Sequence, residues 1–230
     1  MNKVMVFLRA RSGLAREDFQ QEMLGLAQRR MAGASTGEAM VVNLVRMPPP
    51  NLPYRPPSDP TAGQPPEYDV IFEIWGLRDA TRIADQLAQG VHHAVSAFHA
   101  YAVTATRVYD RCAFARGRPS AGVKLIGRLM FHADMPDSAV RRSWALHAVL
   151  AARVHVGSVV YVQNWVDAAL SDDCPSARGM PIMHFASETA FFDQFVDSPR
   201  GMDEIIQDTS HFVAGGPRFY TTEYIFQEPP

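Results

Sequence analysis

The spacing of apolar and polar residues alternates between two patterns along the chain. Lys3–Ala10, Ala39–Met47, Tyr68–Trp75 and Ala102–Asp110 are rich in β-branched and aromatic side chains, which predicts strands. Between them, Ala15–Ala32 and Arg78–Ala88 repeat apolar residues every three or four positions, the period of a helix with one buried face. The same succession then returns. Strands are predicted near Val123–Phe131, Ser158–Val166, Met180–Ala186 and Arg218–Phe226, and helices near Pro136–His155 and Glu188–Val196, with helical turns around Met202–Asp208. Each half therefore reads strand, helix, strand, strand, helix, strand.

The halves register best at their first helix. Phe19, Met23, Leu26 and Arg30 share one helical face, and Val140, Trp144, His147 and Ala151 repeat that spacing about 120 residues later. A βαββαβ unit is ferredoxin-like: an antiparallel four-stranded sheet with helices on one face and the other face open. The expected fold class is α+β, with two such units at residues 1–111 and 122–230. Their open faces pair to form a pseudo-dimeric α/β barrel within one chain. Arg111–Gly122, rich in Arg, Gly, Ser and Pro, reads as the linker. Pro48–Glu67 holds about half of the 17 prolines, so it reads as a long loop between two strands, either a surface insertion or a lid.

Composition adds limits. With 230 residues, 47% apolar, the chain can bury a sizeable core. A formal net charge of −2 gives no overall electrostatic case for nucleic acid or an anionic membrane. The apolar run Val4–Leu8 is shorter than the roughly 7–15 residues of a secretory signal. The expectation is a soluble, cytoplasmic protein. Cys112 and Cys174 stand apart from other thiols, so neither a disulfide framework nor a thiolate zinc site is expected. No glycine-rich dinucleotide loop, Walker-type loop or Gly-x-Ser-x-Gly elbow is present, which argues against nucleotide cofactors and an α/β-hydrolase. His92, His93 and His99 lack metal-ligand spacing and read as surface helix and loop residues.

His147 is the most informative position. It occupies the buried stripe where its counterpart, Leu26, simply fills core. An imidazole there costs free energy unless a partner or ligand satisfies its ring nitrogens. Trp144, one turn earlier, supplies an apolar wall, and a neutral imidazole in a hydrophobic cleft is what a general base needs near pH 7. A core histidine bonded to a backbone carbonyl is the alternative.

Trp144-Ala-Leu-His147, Tyr161-Val-Gln-Asn164, Asp208-Thr-Ser-His-Phe212 and Thr222-Glu223, in that order, resemble the EthD-domain family of the dimeric α/β-barrel superfamily. The resemblance covers roughly residues 122–227. The first half is similar only in places, such as Glu73-Ile-Trp75, and its helix carries Met23 and Leu26 where the family has Trp-x-x-His. The resemblance implies one live and one degenerate unit. It also implies a pocket between helix and sheet in the second, with His147 facing in. Relatives of this kind include dehydratases, cyclases, isomerases and oxygenases that act on small hydrophobic, often aromatic or polyketide-like molecules without metal or flavin. Other members have only an accessory role, and some dimeric-barrel relatives bind haem through a single histidine, which here would be His147 or His184.

The remaining candidates follow from residue type. Asn164 can orient a substrate carbonyl or the His147 ring, and His184 is either a second acid/base or a half-exposed strand residue. Tyr161 and Tyr220 offer hydroxyls inside an apolar site, and Asp208 can cap, pair with an arginine or polarise a histidine. Lys124, Arg128 and His132 alternate on one strand face, the usual sign of a solvated face, although Arg128 can also clamp an acidic substrate. The expected function is a cofactor-independent lyase, dehydratase, cyclase or isomerase with His147 as general base. The alternatives are a cofactor-independent oxygenase of an electron-rich phenol and a non-catalytic small-molecule-binding protein. No further protein partner is required, although exposed sheet edges can pair two chains as a homodimer.

Overall fold

A computed structural model describes residues 2–34, 37–53, 64–76 and 79–227. The elements of the first half are β1 (Asn2–Ala10), α1 (Arg16–Ala32), β2 (Ala39–Arg46), β3 (Val70–Trp75), α2 (Ala80–Val91) and β4 (Val95–Asp110). The second half holds β5 (Val123–Gly127), β6 (Met130–Phe131), α3 (Asp137–Val154), β7 (Ser158–Ala169) and β8 (Gly179–Phe185). It ends with α4 (Glu188–Asp193), α5 (Pro199–Ser210), β9 (Val213–Gly215) and β10 (Arg218–Gln227).

Eight strands close an antiparallel barrel in the order β1-β3-β2-β10-β5-β8-β7-β4. Within it, β4-β1-β3-β2 and β10-β5-β8-β7 are two ferredoxin-like sheets of identical order. They join edge to edge, β2 on β10 and β4 on β7. The open faces expected from the repeat thus become the barrel interior, and no main-ring strand is left with a bare edge. Both seams need long strands. β4 begins at Val95 rather than Ala102, so one end can pair with β1 while the other pairs with β7. His99 accordingly lies on a strand, with its Nδ1 2.7 Å from the Tyr68 hydroxyl, and not in a loop.

The period of two sorts side chains between two layers. On β1, Val4, Val6 and Leu8 point outward to Phe19, Met23 and Ala27 of α1 and Ala84 and Leu87 of α2, in one continuous apolar cluster. Met5 and Phe7 point inward and meet Tyr68, Tyr101, Ile126, Ile182 and Phe219 in the barrel core. In the second half the outer layer is divided into three clusters. These centre on Phe185 and Phe191, on Trp144 and Phe131, and on Tyr161 and Ile205.

Several boundaries differ from expectation for local reasons. The strand predicted over Val123–Phe131 breaks after Gly127, where Leu129 bridges to Gly179 and Arg128 N–H bonds Pro217. α2 runs to Val91; Leu77 and Arg78 lie outside the described residues. α5 is longer than predicted because Ser198 caps it, accepting from Gly201 N–H at 3.0 Å, and Pro199 occupies its first turn. Half of the proline-rich loop, residues 54–63, lies outside the described residues, and so does any lid it forms. No described helix is long and apolar enough to cross a membrane.

Candidate active site

α3 starts after Pro136 with Asp137 in its first turn, and it buries Val140, Trp144, His147, Ala148, Ala151 and Val154 along one stripe. That stripe packs on the outside of the barrel against Tyr161 and Trp165 of β7 and Tyr109 of β4, with α5 beside it. The buried residues of this layer form three clusters, two of them bridged by the partly buried Met183 and Val196. Between them lies a cavity of about 390 Å³, walled by Leu125, Leu129, Trp144, Tyr161, Met183, Phe195, Ile205 and Phe212. His147, His155, His132 and Arg218 supply most of the nitrogen groups along this lining.

His147 is buried, with Nδ1 2.7 Å from Asp208 Oδ2. The carboxylate accepts, so the ring proton sits on Nδ1 and the Nε2 lone pair is left over. Tyr161 and Phe212 hold the ring edge-on, at centroid distances of 6.4 and 5.8 Å. Asp208 lies in the last turn of α5, where the helix dipole disfavours an anion by a few tenths of a kcal/mol up to about 1. An imidazole that gains positive charge offsets this. The Tyr161 hydroxyl accepts from Gln163 Nε2 at 3.1 Å, and that amide also donates to the Trp144 carbonyl, tying β7 to α3. Burial raises the Tyr161 pKa, so the phenol stays protonated and able to donate.

Of the residues singled out from sequence, Trp144, His147, Tyr161 and Asp208 come together here, and four others do not. Asn164 points into the barrel, where its Nδ2 donates to the Met180 carbonyl at 2.6 Å; it orients neither His147 nor anything in this cavity. Tyr220 packs against Phe191 in a neighbouring cluster. Arg128 turns inward to the Tyr68 hydroxyl at 2.9 Å and the Glu67 carboxylate at 3.1 Å. His184 faces the barrel interior, fully buried rather than half-exposed. It stacks on Phe114 at 4.2 Å, with Nε2 2.8 Å from the Ala121 carbonyl and Nδ1 3.4 Å from Glu223. With both its nitrogens next to acceptors, His184 has none free for haem iron. His147 Nε2 is the one of the pair that could take that place.

The face carrying Lys124 and Arg128 is also not solvated. Lys124 is 4% exposed and pairs with Glu73 at 2.6 Å and with Glu223, and Lys3 reaches the other oxygen of Glu73 at 2.7 Å. Burial alone would raise the Glu73 pKa, but Lys124 and Lys3 outweigh it and hold the carboxyl at about 2. Glu223 is likewise held well below the usual carboxylate range by Lys124 and His184, against the effect of burial. Lys124, between two carboxylates, is raised despite burial; Lys3 is lowered by burial, which its single carboxylate partner does not outweigh. This network floors a second cavity of about 490 Å³ at one end of the barrel, beneath Phe114 and Cys112 of the linker. A constant spacing in the sequence points to it. Lys3 and Asn43 recur 121 residues later as Lys124 and Asn164, on equivalent strands.

No protein-family model matches the chain, and no curated protein does. Solved structures do match over its full length. An anthrone oxidase-like protein covers 100% of the chain and 94% of its own length, with a TM-score of 0.57 at 10% identity. A candidate monooxygenase from Lactobacillus acidophilus NCFM covers 99% and 96%, also at TM-score 0.57, with 13% identity. A candidate chlorite dismutase, TA0507, covers 96% and 93% at TM-score 0.51 and 9% identity. At such identities the likeness is one of fold. This chain has the dimeric α/β-barrel architecture, with both units in one polypeptide.

Proposed function

We propose that the chain is an enzyme acting on a small hydrophobic, aromatic or polyketide-like substrate in the cavity between α3, α5 and the barrel. Its first step is proton abstraction by His147 Nε2. The observation that carries this reading is the 2.7 Å contact from His147 Nδ1 to Asp208 inside a largely apolar cavity. The carboxylate fixes the tautomer, directs the basic nitrogen to the substrate and stabilises the imidazolium once formed. A phenol O–H or a carbon acid next to a carbonyl is the group such a base removes. In this reading the Tyr161 hydroxyl, which lines the same cavity, donates to the developing oxyanion.

Two fates of the anion are open to this site. Loss of water or ring closure gives the lyase or cyclase reading. Reaction with dioxygen gives the oxygenase reading, in which a methylene becomes a carbonyl and the second oxygen atom leaves as water. Two of the three fold neighbours above carry oxidase or monooxygenase names, and the oxygenase reading fits this site as well as the lyase or cyclase one. Neither fate requires a metal or flavin at His147. The deciding experiment incubates the purified chain with hydroxylated aromatic and polyketide-like compounds, in air and under argon. Turnover lost under argon selects the oxygenase, and turnover kept selects elimination or cyclisation. Binding without turnover, unchanged in His147→Gln, would overturn the enzyme reading, and a Soret band on haem addition that this variant abolishes would reassign Nε2 to iron.

A further inference from the structure

We propose that His155 is the specificity-determining residue of this cavity, accepting through Nε2 a hydrogen bond from a hydroxyl or N–H at the end of the ligand remote from His147. The inference rests on the reading of the cavity as the substrate site.

His155 follows the last residue of α3 and lines the same cavity as His147. The two are eight positions apart, about 12 Å along a helix axis. The His155 Nδ1 lies 2.7 Å from the Phe195 carbonyl, and a carbonyl can only accept, so the ring proton sits on Nδ1. The ring is also held edge-on to Phe195, at 5.0 Å between centroids. Nε2 is therefore a fixed lone pair, and among the described residues nothing donates to it. The residue as a whole is 4% exposed, and Nε2 is not among the fully buried polar atoms that lack a partner, so this nitrogen opens onto the cavity. A ligand donor that reaches the cavity there finds an oriented acceptor.

The ring cannot exchange this role for another near neutral pH. Burial depresses its pKa to about 4, against the Phe195 hydrogen bond, so it neither holds a second proton nor competes with His147 as base. It accepts from a hydroxyl or amine and repels a carbonyl, ether or carboxylate. Naphthalene-2,6-diol, with a hydroxyl at each end of a two-ring frame, offers an acid to one histidine and a donor to the other. The ligand class is thus an aromatic molecule with the reactive acid at one end and a hydrogen-bond donor at the other.

The test titrates the full chain with naphthalene-2,6-diol, 2-naphthol and 6-methoxy-2-naphthol, measured by isothermal titration calorimetry. The wild type is expected to bind the diol about tenfold or more tighter than the methoxy compound. His155→Phe should bind all three alike, and His155→Gln, whose amide still accepts, should recover part of the preference. In ¹⁵N-histidine-labelled wild-type protein the diol should shift the His155 Nε2 resonance and the ether should not. Equal diol-to-ether ratios in the wild type and His155→Phe, or an unmoved Nε2, overturn the inference even where 2-naphthol binds and depends on His147. If none of the probes binds the wild type, or if binding ignores His147→Gln, the underlying reading of the cavity fails and this inference fails with it.

Discussion

Lys3 and Lys124 reach the same carboxylate, Glu73, from opposite walls of the barrel. They are repeat-related residues on β1 and β5, strands four apart in the closed ring, and Glu223 balances the second ammonium. The charges thus tie the two halves together across the interior.

Removing one member of this network should be far worse than replacing all of it. Lys124→Met leaves Glu223 without its lysine and Glu73 with only one of its two lysines beside the Asn43 amide, and should destabilise the fold by about 3–5 kcal/mol. Lys3→Met should cost less, because Glu73 keeps Lys124. The quadruple variant Lys3→Met, Glu73→Leu, Lys124→Met, Glu223→Leu should regain most of the loss, since apolar groups of similar volume replace paired ions without desolvation. Urea unfolding of the three proteins measures this. A quadruple variant weaker than Lys124→Met would show that the network does more than balance its own charges.

Acid should weaken the fold through His155. Its folded-state pKa of about 4 lies below the ordinary value of 6.5, so the unfolded chain takes up a proton first as pH falls. The stabilising effect is complete above pH 6.5 and is lost between 6.5 and 4, about 3 kcal/mol if the full shift is expressed. Glu73, held at about 2 against an ordinary 4.5, adds a second loss only at lower pH, between 4.5 and 2. His155→Phe should flatten the upper part of the stability curve and leave the lower part. An unchanged slope above pH 4.5 in that variant would refute the assignment.

Gly179 marks where the sheet touches the cavity wall. A Cβ there would lie 2.6 Å from Phe131 Cζ and 2.8 Å from two ring atoms of Trp144. Gly179→Ala must displace the Phe131 ring and the Trp144 indole, and the indole is a wall of the cavity. The expected cost is about 1–3 kcal/mol, read as a fall in Tm of several degrees, with a parallel loss of 2-naphthol affinity. Retained affinity would mean that Trp144 does not border the occupied part of the cavity.

The repeat was legible because helix faces are local. Phe19, Met23 and Leu26 against Val140, Trp144 and His147 reveal two copies of one unit, and the closed barrel follows from its two open sheet faces. The barrel interior was not legible in the same way. Lys124, Arg128 and His132 look like a solvated stripe because the carboxylates that hold Lys124 stand 51 and 99 positions away. Asn164 and His184 face that interior for the same reason, since strand parity decides their side and only the closed ring shows which side is enclosed. His155 carried no signal of its own, its partner being the carbonyl of Phe195, 40 residues on.

The pairing of His147 and Asp208 makes the last and most direct prediction. If His147 is the base, His147→Gln should lower kcat by about 10²–10⁴-fold with a smaller change in KM. Asp208→Asn keeps an oxygen for Nδ1–H but removes the charge that stabilises the imidazolium, so its effect should be smaller. Because the two act as one unit, the double variant should be no slower than His147→Gln alone. The proton-transfer step can be followed before the physiological substrate is known, as deuterium exchange at the acidic carbon of 2-tetralone above the buffer rate. Additive losses would separate the carboxylate from the imidazole, and exchange that persists in His147→Gln would place the base elsewhere in the cavity.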